Sequence, residues 1–456
     1  MSVKNAKKTV VGAIDPEVLK FTVGDDPELD LRLVEWDCYG TAAHVIMLSR
    51  MKADFTIVSR EDRINVVRQL AKIRDSARAG TFKITPEDQD CHLAIERTLT
   101  EALGEVGKRI HTGRSRNDQS ATAIRMFLRE ELDRTVFDTL DLAEALAKFG
   151  RRFGLTPMVG RTHLQPAMPS SVGAWASAWA EELLDGVGIV ESARALADRC
   201  PLGSAASYGV PLPINRNLTA RLLGFSRPVH NVLAAGNSRG KVEAAAVAAL
   251  SQTMITLSRM AQDLILFSMP EFGYFSLPKE FCTGSSIMPQ KYNPDVCELV
   301  RSKAARVVAL STAASGIMVG MPGGYNRDLQ DTKKIVMEAV DTTRACLVVL
   351  TRLVRGLKVD SHRLRAAFDD PGVFATDRAL QLVAGGMPFR DAYHEVRDHL
   401  EDLRGMDPDA ALAAKTHLGA PAAIDYEHLF EDISFTRTMW RSRNSRVRQN
   451  LMNLLH

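Results

Sequence analysis

The sequence predicts a mainly α-helical protein organised around a bundle of long helices. Prolines are missing from residues 117–156, 170–200, 229–269, 295–321 and 323–370. Proline costs a helix interior roughly 3 kcal/mol, so such spans can hold long unbroken helices. Apolar residues recur at helical spacing inside them, and strand signals are sparse. A composition of 45% hydrophobic, 25% charged and 6% aromatic residues suits a soluble globular chain and is lean for an all-β one.

Taken in order, the chain supports this reading. Thr81–Thr85 and Met158–Thr162 are candidate short strands, too few to found a sheet-based fold. In 117–156, Ile124, Phe127, Leu128, Leu132, Val136, Leu140 and Leu146 form an apolar stripe, with Arg125, Arg129, Glu130, Asp133 and Arg134 between them. The segment NDQS supplies cap-type residues at its start, and Gly154 with Pro157 closes it. A helix of roughly 35 residues would be about 50 Å long. The spans 170–199 and 241–267 are apolar almost all round, so their helices are expected to be buried on most faces. After Pro294 the stripe returns as Val296, Leu299, Val300, Val307, Leu310 and Ala314. Boundaries are expected near the ends of the long helices. They give a mainly helical N-terminal domain (1–116), a central bundle (117–361) and a small helical C-terminal domain (362–456).

Several function classes are disfavoured. A net charge of +3 with scattered basic residues gives no nucleic-acid surface. The six cysteines (Cys38, Cys91, Cys200, Cys282, Cys297, Cys346) form neither a CxxC pair nor a disulfide framework, so reduced thiols in a cytoplasmic setting are expected. No signal peptide is read in the first residues, and no apolar run is long enough to span a membrane.

Three polar segments interrupt the helical text. His111–Gln119 (HTGRSRNDQ) precedes the first long helix, where free N–H groups and arginines favour a carboxylate; a solvated cap with surface arginines is an equal reading. Gly160–Pro169 (GRTHLQPAMP) places His163 where it could transfer protons, although a lone histidine is more often structural. Thr283–Glu298 (TGSSIMPQKYNPDVCE) is a flexible loop able to fold over a ligand and present Lys291, or else a plain linker. It lacks the order of a phosphate-binding P-loop.

Together these segments carry a resemblance. GSSIMPQKYNP at 284–294 resembles the signature of the fumarase/aspartase superfamily. HTGRSRNDQ, THLQ at 162–165, YNRDLQ at 325–330, ATD at 375–377 and GMPFRDA at 386–392 narrow the likeness to the argininosuccinate lyase family. The resemblance implies an anti elimination that splits a C–N bond and releases fumarate from an N-succinyl amine. It also implies the residue roles. Ser285 takes the base role, His163 is the acid-side residue or its organiser, and Glu298 pairs with the histidine. Ser115, Arg116, Asn117, Thr162, Lys291 and Asn293 grip substrate carboxylates or support the loop. Tyr325, Gln330 and Lys333 hold the amino-acid end, and His92 lies nearby. The likeness implies no metal or organic cofactor. The partners it implies are a small N-succinyl amine and fumarate, with no nucleic acid and no membrane. The assembly it implies is a homotetramer with a central twenty-helix bundle, its sites shared between subunits. A sibling lyase acting on another N-succinyl amine or an aminopolycarboxylate is the alternative; a catalytically silent crystallin-like relative is a remote one, since Ser285, His163, Lys291 and Asn293 are all present.

The chain departs from the family pattern at four places. Asp26 stands where a serine is usual, Met168 replaces a glutamine, and Tyr292 replaces a second lysine. The acidic stretch NSxDAVSDRD corresponds here to NVLAAGNSRG at 231–240, which keeps Asn231, Ala235 and Arg239. Loss of those acids is expected to alter loop docking or to relax the preference for a guanidinium product.

Overall fold

Helices fill the proline-free spans. The computed structural model describes residues 8–9, 12–52 and 55–455; the first seven residues, part of the segment read as lacking a signal peptide, lie outside them. The long helices run Arg116–Arg152, Val172–Ala197, Lys241–Ser268, Asp295–Gly316 and Thr332–Gly356, with Tyr426–Met452 packed alongside. The first has 37 residues, about 55 Å at 1.5 Å per residue. Its N-cap is Ser115, ahead of the NDQS segment expected to cap it, because Ser115 and Asp118 close a reciprocal capping box and draw NDQS into the helix.

This helix is buried on nearly every face, so its charges are buried as well. Its charged residues find partners. Arg194 Nε lies 2.5 Å from Asp133 Oδ1, Arg129 donates to the Gly224 carbonyl at 2.9 Å and lies over the Phe225 ring, and Arg125 donates to the Arg199 carbonyl. Buried polar groups left unpaired would cost more than these bonds return.

Contacts fix which helix ends meet. At one end Asp118 touches the turn at 203–205, and Asn117 and Ala121 face residues 235–239 and Tyr325. At the other end Phe149 packs edge-on against Phe275, Val359 pairs with Phe275, and Arg161 reaches Tyr274. The bundle is therefore an alternating up-and-down arrangement with two distinct ends.

Strands are short and two-stranded among the described residues. Pro157–Thr162 pairs antiparallel with Gln165–Ser171, in register from Pro157–Ser171 to Thr162–Gln165, with a bulge at Gly160/Arg161. This bears out the strand expected at Met158–Thr162. The strand expected at Thr81–Thr85 is absent: the N–H groups of Thr81 and Phe82 instead donate to the Ser76 carbonyl at the end of the preceding helix. Thr85 is turned into a local cap with Asp88, so no ladder forms.

Apolar burial forms two clusters. The larger threads the bundle and the N-terminal helix Val34–Leu48. The smaller joins Phe368, Val373, Phe374, Ala379, Ala392, Val396, Leu403 and Ala411 to one residue from elsewhere, Val159 of the hairpin. Lys415 strengthens the link, donating to the Pro169 carbonyl at 2.8 Å while lying 3.1 Å from Asp377.

Candidate active site

The first polar segment folds as the sequence chemistry requires. Ser115 Oγ accepts the Asn117 N–H at 3.2 Å, and Asp118 Oδ1 accepts the Ser115 N–H at 2.9 Å. Asp118 Oδ2 accepts from Gly203 and Ala205 at 2.8 and 2.9 Å. Burial pushes the Asp118 carboxyl up to about 6, against the pull of those N–H donors. The turn it holds is strained: Ala205 and Ser207 take φ of 53° and 78°, left-handed values that cost non-glycine residues about 1–3 kcal/mol each. Arg116 points outward to Asp90 at 2.9 Å, so its side chain is engaged away from the cleft.

The second segment is the tip of the hairpin. His163 and Leu164 have φ of 53° and 63°, as both central positions of a two-residue type I′ turn require. Arg161 clamps the tip by donating to the Leu164 carbonyl at 3.1 Å while lying over the Phe272 ring. Thr162 and His163 are exposed there. Met168 sits opposite Gly160 in the ladder, away from the tip.

The third segment is a miniature hairpin closed by Thr283–Gly284 against Tyr292–Asn293. Asp295 anchors its base through the N–H and hydroxyl of Thr283, and Asn293 donates to Thr283 Oγ1 at 3.4 Å. Ser285 Oγ accepts the N–H groups of Ile287 and Met288 at 3.3 and 3.0 Å. Donors aimed at a hydroxyl oxygen stabilise negative charge on it, and here the backbone supplies them. Lys291 and Glu298 are exposed nearby, and the Tyr292 ring centre lies 5.8 Å from the Lys279 ammonium.

Asn117 and Tyr325 meet in one narrow cleft, with Ser204, Ser207 and Arg239 completing its walls. Gln330 donates to the Thr22 carbonyl at 3.0 Å. Lys333 is buried between Asp30 Oδ1 at 2.5 Å and Asp26 Oδ1 at 2.9 Å. Asp26 is thus matched by a lysine in its own chain rather than left to repel a substrate. Burial works against the Lys333 charge, but the two carboxylates outweigh it and raise its pKa. His92 Nδ1 lies 3.3 Å from Asp37; burial would lower its pKa, and Asp37 raises it instead. Asp30, Cys91 and His92 bring ligand-type atoms within 4.8 Å of one another, but Asp30 already serves Lys333 and His92 serves Asp37.

The stretch 231–240 docks tightly. Asn231 caps the short helix Val232–Asn237, and Asn237 Oδ1 accepts the Gly324 N–H at 2.7 Å. A Cβ on Gly236 would collide with Ser207 Oγ, and one on Gly240 would lie 2.7 Å from Leu329. Two glycines where the family pattern has larger residues therefore let this stretch close against the cleft. Arg239 and Asp118 join the site although the motifs did not single them out as members. Their signals are the S-x-x-D cap spacing and an arginine surviving in a stretch stripped of acids.

Within one chain these groups divide between the two ends of the bundle. Asn117, Tyr325, Gln330 and Lys333 lie at one end, while His163 and the Ser285 loop lie at the other. Among the described residues no hydrogen bond or ion pair links His163, Ser285 and Asn117.

Comparison with known proteins decides the family. The family model described as lyase matches residues 33–309. An argininosuccinate lyase of Sorangium cellulosum (strain So ce56) is 44% identical over 418 residues, covering 92% of this chain and 96% of the relative. The chain belongs to the argininosuccinate lyase family. Another member, from Thermotoga neapolitana, is 41% identical over 385 residues, covering 84% of this chain and 96% of its own. A solved structure of an EDDS lyase variant with bound fumarate superposes with a TM-score of 0.79 at 24% identity, covering 99% of this chain and 95% of that one. The family's carbon–nitrogen lyase fold and the mainly helical expectation are thereby established together.

Proposed function

We propose that this protein eliminates fumarate from argininosuccinate to give arginine, in sites assembled from several copies of the chain. The observation that carries the proposal is the division of the predicted residues between opposite ends of a helix about 55 Å long. Antiparallel packing of a second copy brings one chain's hairpin and loop beside another's cleft. Exposed Ile189, Ile255, Leu299, Val308 and Val348 on the bundle helices give such packing an apolar surface to bury, consistent with a homotetramer.

In the reaction Ser285 takes the proton from the carbon beside a succinyl carboxylate. The electron pair forms the new C=C bond, and the C–N pair leaves with nitrogen, protonated from the His163 side, where Glu298 pairs with the imidazole. Thr162, Lys291, Asn293 and Asn117 meet the carboxylate on which charge develops; Tyr325, Gln330 and Lys333 border the amino-acid end. A cytoplasmic setting accords with six free cysteines. No helix among the described residues is long and apolar enough to cross a membrane.

Purified protein given argininosuccinate will release fumarate, read by its ultraviolet absorbance. The acid-free stretch at 231–240 favours one second reading, a sibling lyase for another N-succinyl amine. Silence with argininosuccinate, together with addition of a different amine to fumarate, selects it. Mixing an inactive His163 variant with an inactive Ser285 variant will restore part of the activity; no recovery after proven subunit exchange rules out shared sites.

A further inference from the structure

The turn at the tip of the His163 hairpin is poorly supported by its own backbone. His163 and Leu164 lie at left-handed φ, 53° and 63°, where a Cβ is disfavoured and asparagine followed by glycine is the usual pair. The rung next to the turn joins Arg161 to Pro166, which has no N–H to give, and the bulge at Gly160/Arg161 interrupts the ladder beside it. Pro169, opposite Val159, lacks a donor as well. Strained turns persist only where their surroundings over-determine them. Here a side chain supplies the support. Arg161 Nη1 donates to the Leu164 carbonyl at 3.1 Å and Nη2 to the Tyr274 hydroxyl at 3.4 Å, while the guanidinium carbon lies 4.8 Å from the centre of the Phe272 ring. Those two rings are fixed in turn. Their centres lie 5.4 Å apart, and each packs on Phe267, at 6.2 Å for Phe272 and 5.7 Å for the buried Tyr274, at the end of the helix Lys241–Ser268.

We propose that Arg161 is a positioning residue for the elimination, bracing the strained turn that aims the His163 imidazole; this rests on the role given to His163 above. One nitrogen of the guanidinium holds the turn and another holds the buried tyrosine, so the tip is referenced to the aromatic end of the bundle as well as to its own strands. A rigid planar fork makes both bonds at once, and the ring face beneath it fixes the plane. Misplacing a catalytic group by about 1 Å can cost about a hundredfold in rate, so a brace of this kind acts on turnover without touching substrate.

Arg161→Met keeps an apolar stem and removes both donors. It will lower kcat for fumarate release from argininosuccinate at least about tenfold, within the range that misplacing a catalytic group produces, while the thermal unfolding midpoint stays near that of wild type. Arg161→Lys will retain part of the rate. The discriminating partner is Leu164→Gly, since Leu164 is exposed and glycine takes positive φ without strain. Alone it will keep kcat within about twofold; added to Arg161→Met it will recover about half of the lost rate or more on a logarithmic scale, because the turn no longer needs the brace. An Arg161→Met kcat within about twofold of wild type overturns the proposal, and so does a loss that Leu164→Gly leaves untouched. Crystals of Arg161→Met read the turn apart from the chemistry: residues 163 and 164 displaced from their left-handed values support the brace, and an unmoved turn overturns it. Failure of the reaction reading shows elsewhere, as wild-type protein that releases no fumarate from argininosuccinate or a His163→Gln variant that turns over at full rate.

Discussion

Ser285→Ala will lower turnover at least about a hundredfold, the scale of losing one acid–base group, and leave folding and assembly intact. The hydroxyl sits in a solvent-facing hairpin, and its contacts are two backbone N–H groups that water can satisfy once it is gone. Stability should therefore hardly move, and a denaturation midpoint will show it. Turnover has no such reserve. A serine hydroxyl is a weak base at neutral pH, and donors focused on its oxygen are useful only if that oxygen carries the developing charge. Single-turnover kinetics will place the loss in proton abstraction rather than in binding. A fully active variant would take Ser285 out of the reaction.

Lys333→Met will destabilise the protein by about 3–5 kcal/mol, the cost of stripping one partner from a buried ion pair. The lysine is 4% exposed and Asp30 fully buried, so the remaining carboxylate cannot turn to water. Asp30 also accepts the Cys91 N–H at 3.1 Å, which ties the damage to the segment bearing His92. Urea denaturation will show the lower midpoint. Converting Asp30 to asparagine in the same chain should recover part of it by removing the stranded charge. A loss under about 1 kcal/mol would mean that the lysine has no structural share in this site.

The long helices were legible because they depend on local rules: absent prolines and a 3.6-residue stripe. Helix ends were less so. Ser115, not NDQS, caps the first long helix, since the capping box turns on a side-chain bond that composition does not display. Thr81–Thr85 shows the same limit, for its β-prone residues had no partner strand and the N–H of Thr81 went to Ser76. The motif segments stood out as departures from helical text, yet their grouping was hidden. That Asn117 meets Tyr325, or that Lys333 is spent on Asp26 and Asp30, depends on which helix ends come together across long stretches of chain. Arg239 was visible as a letter, but its place beside Tyr325, with no ion pair among the described residues, is a property of the fold.

The hairpin bearing His163 has its footing in the smaller apolar cluster, through Val159 and the Lys415 bond to Pro169. It acts as a lever arm with its fulcrum among residues 368–415 and the imidazole at its free tip. A slight tilt at that pivot would sweep the ring through a larger arc, so packing among residues 368–415 bears on where the His163 imidazole points.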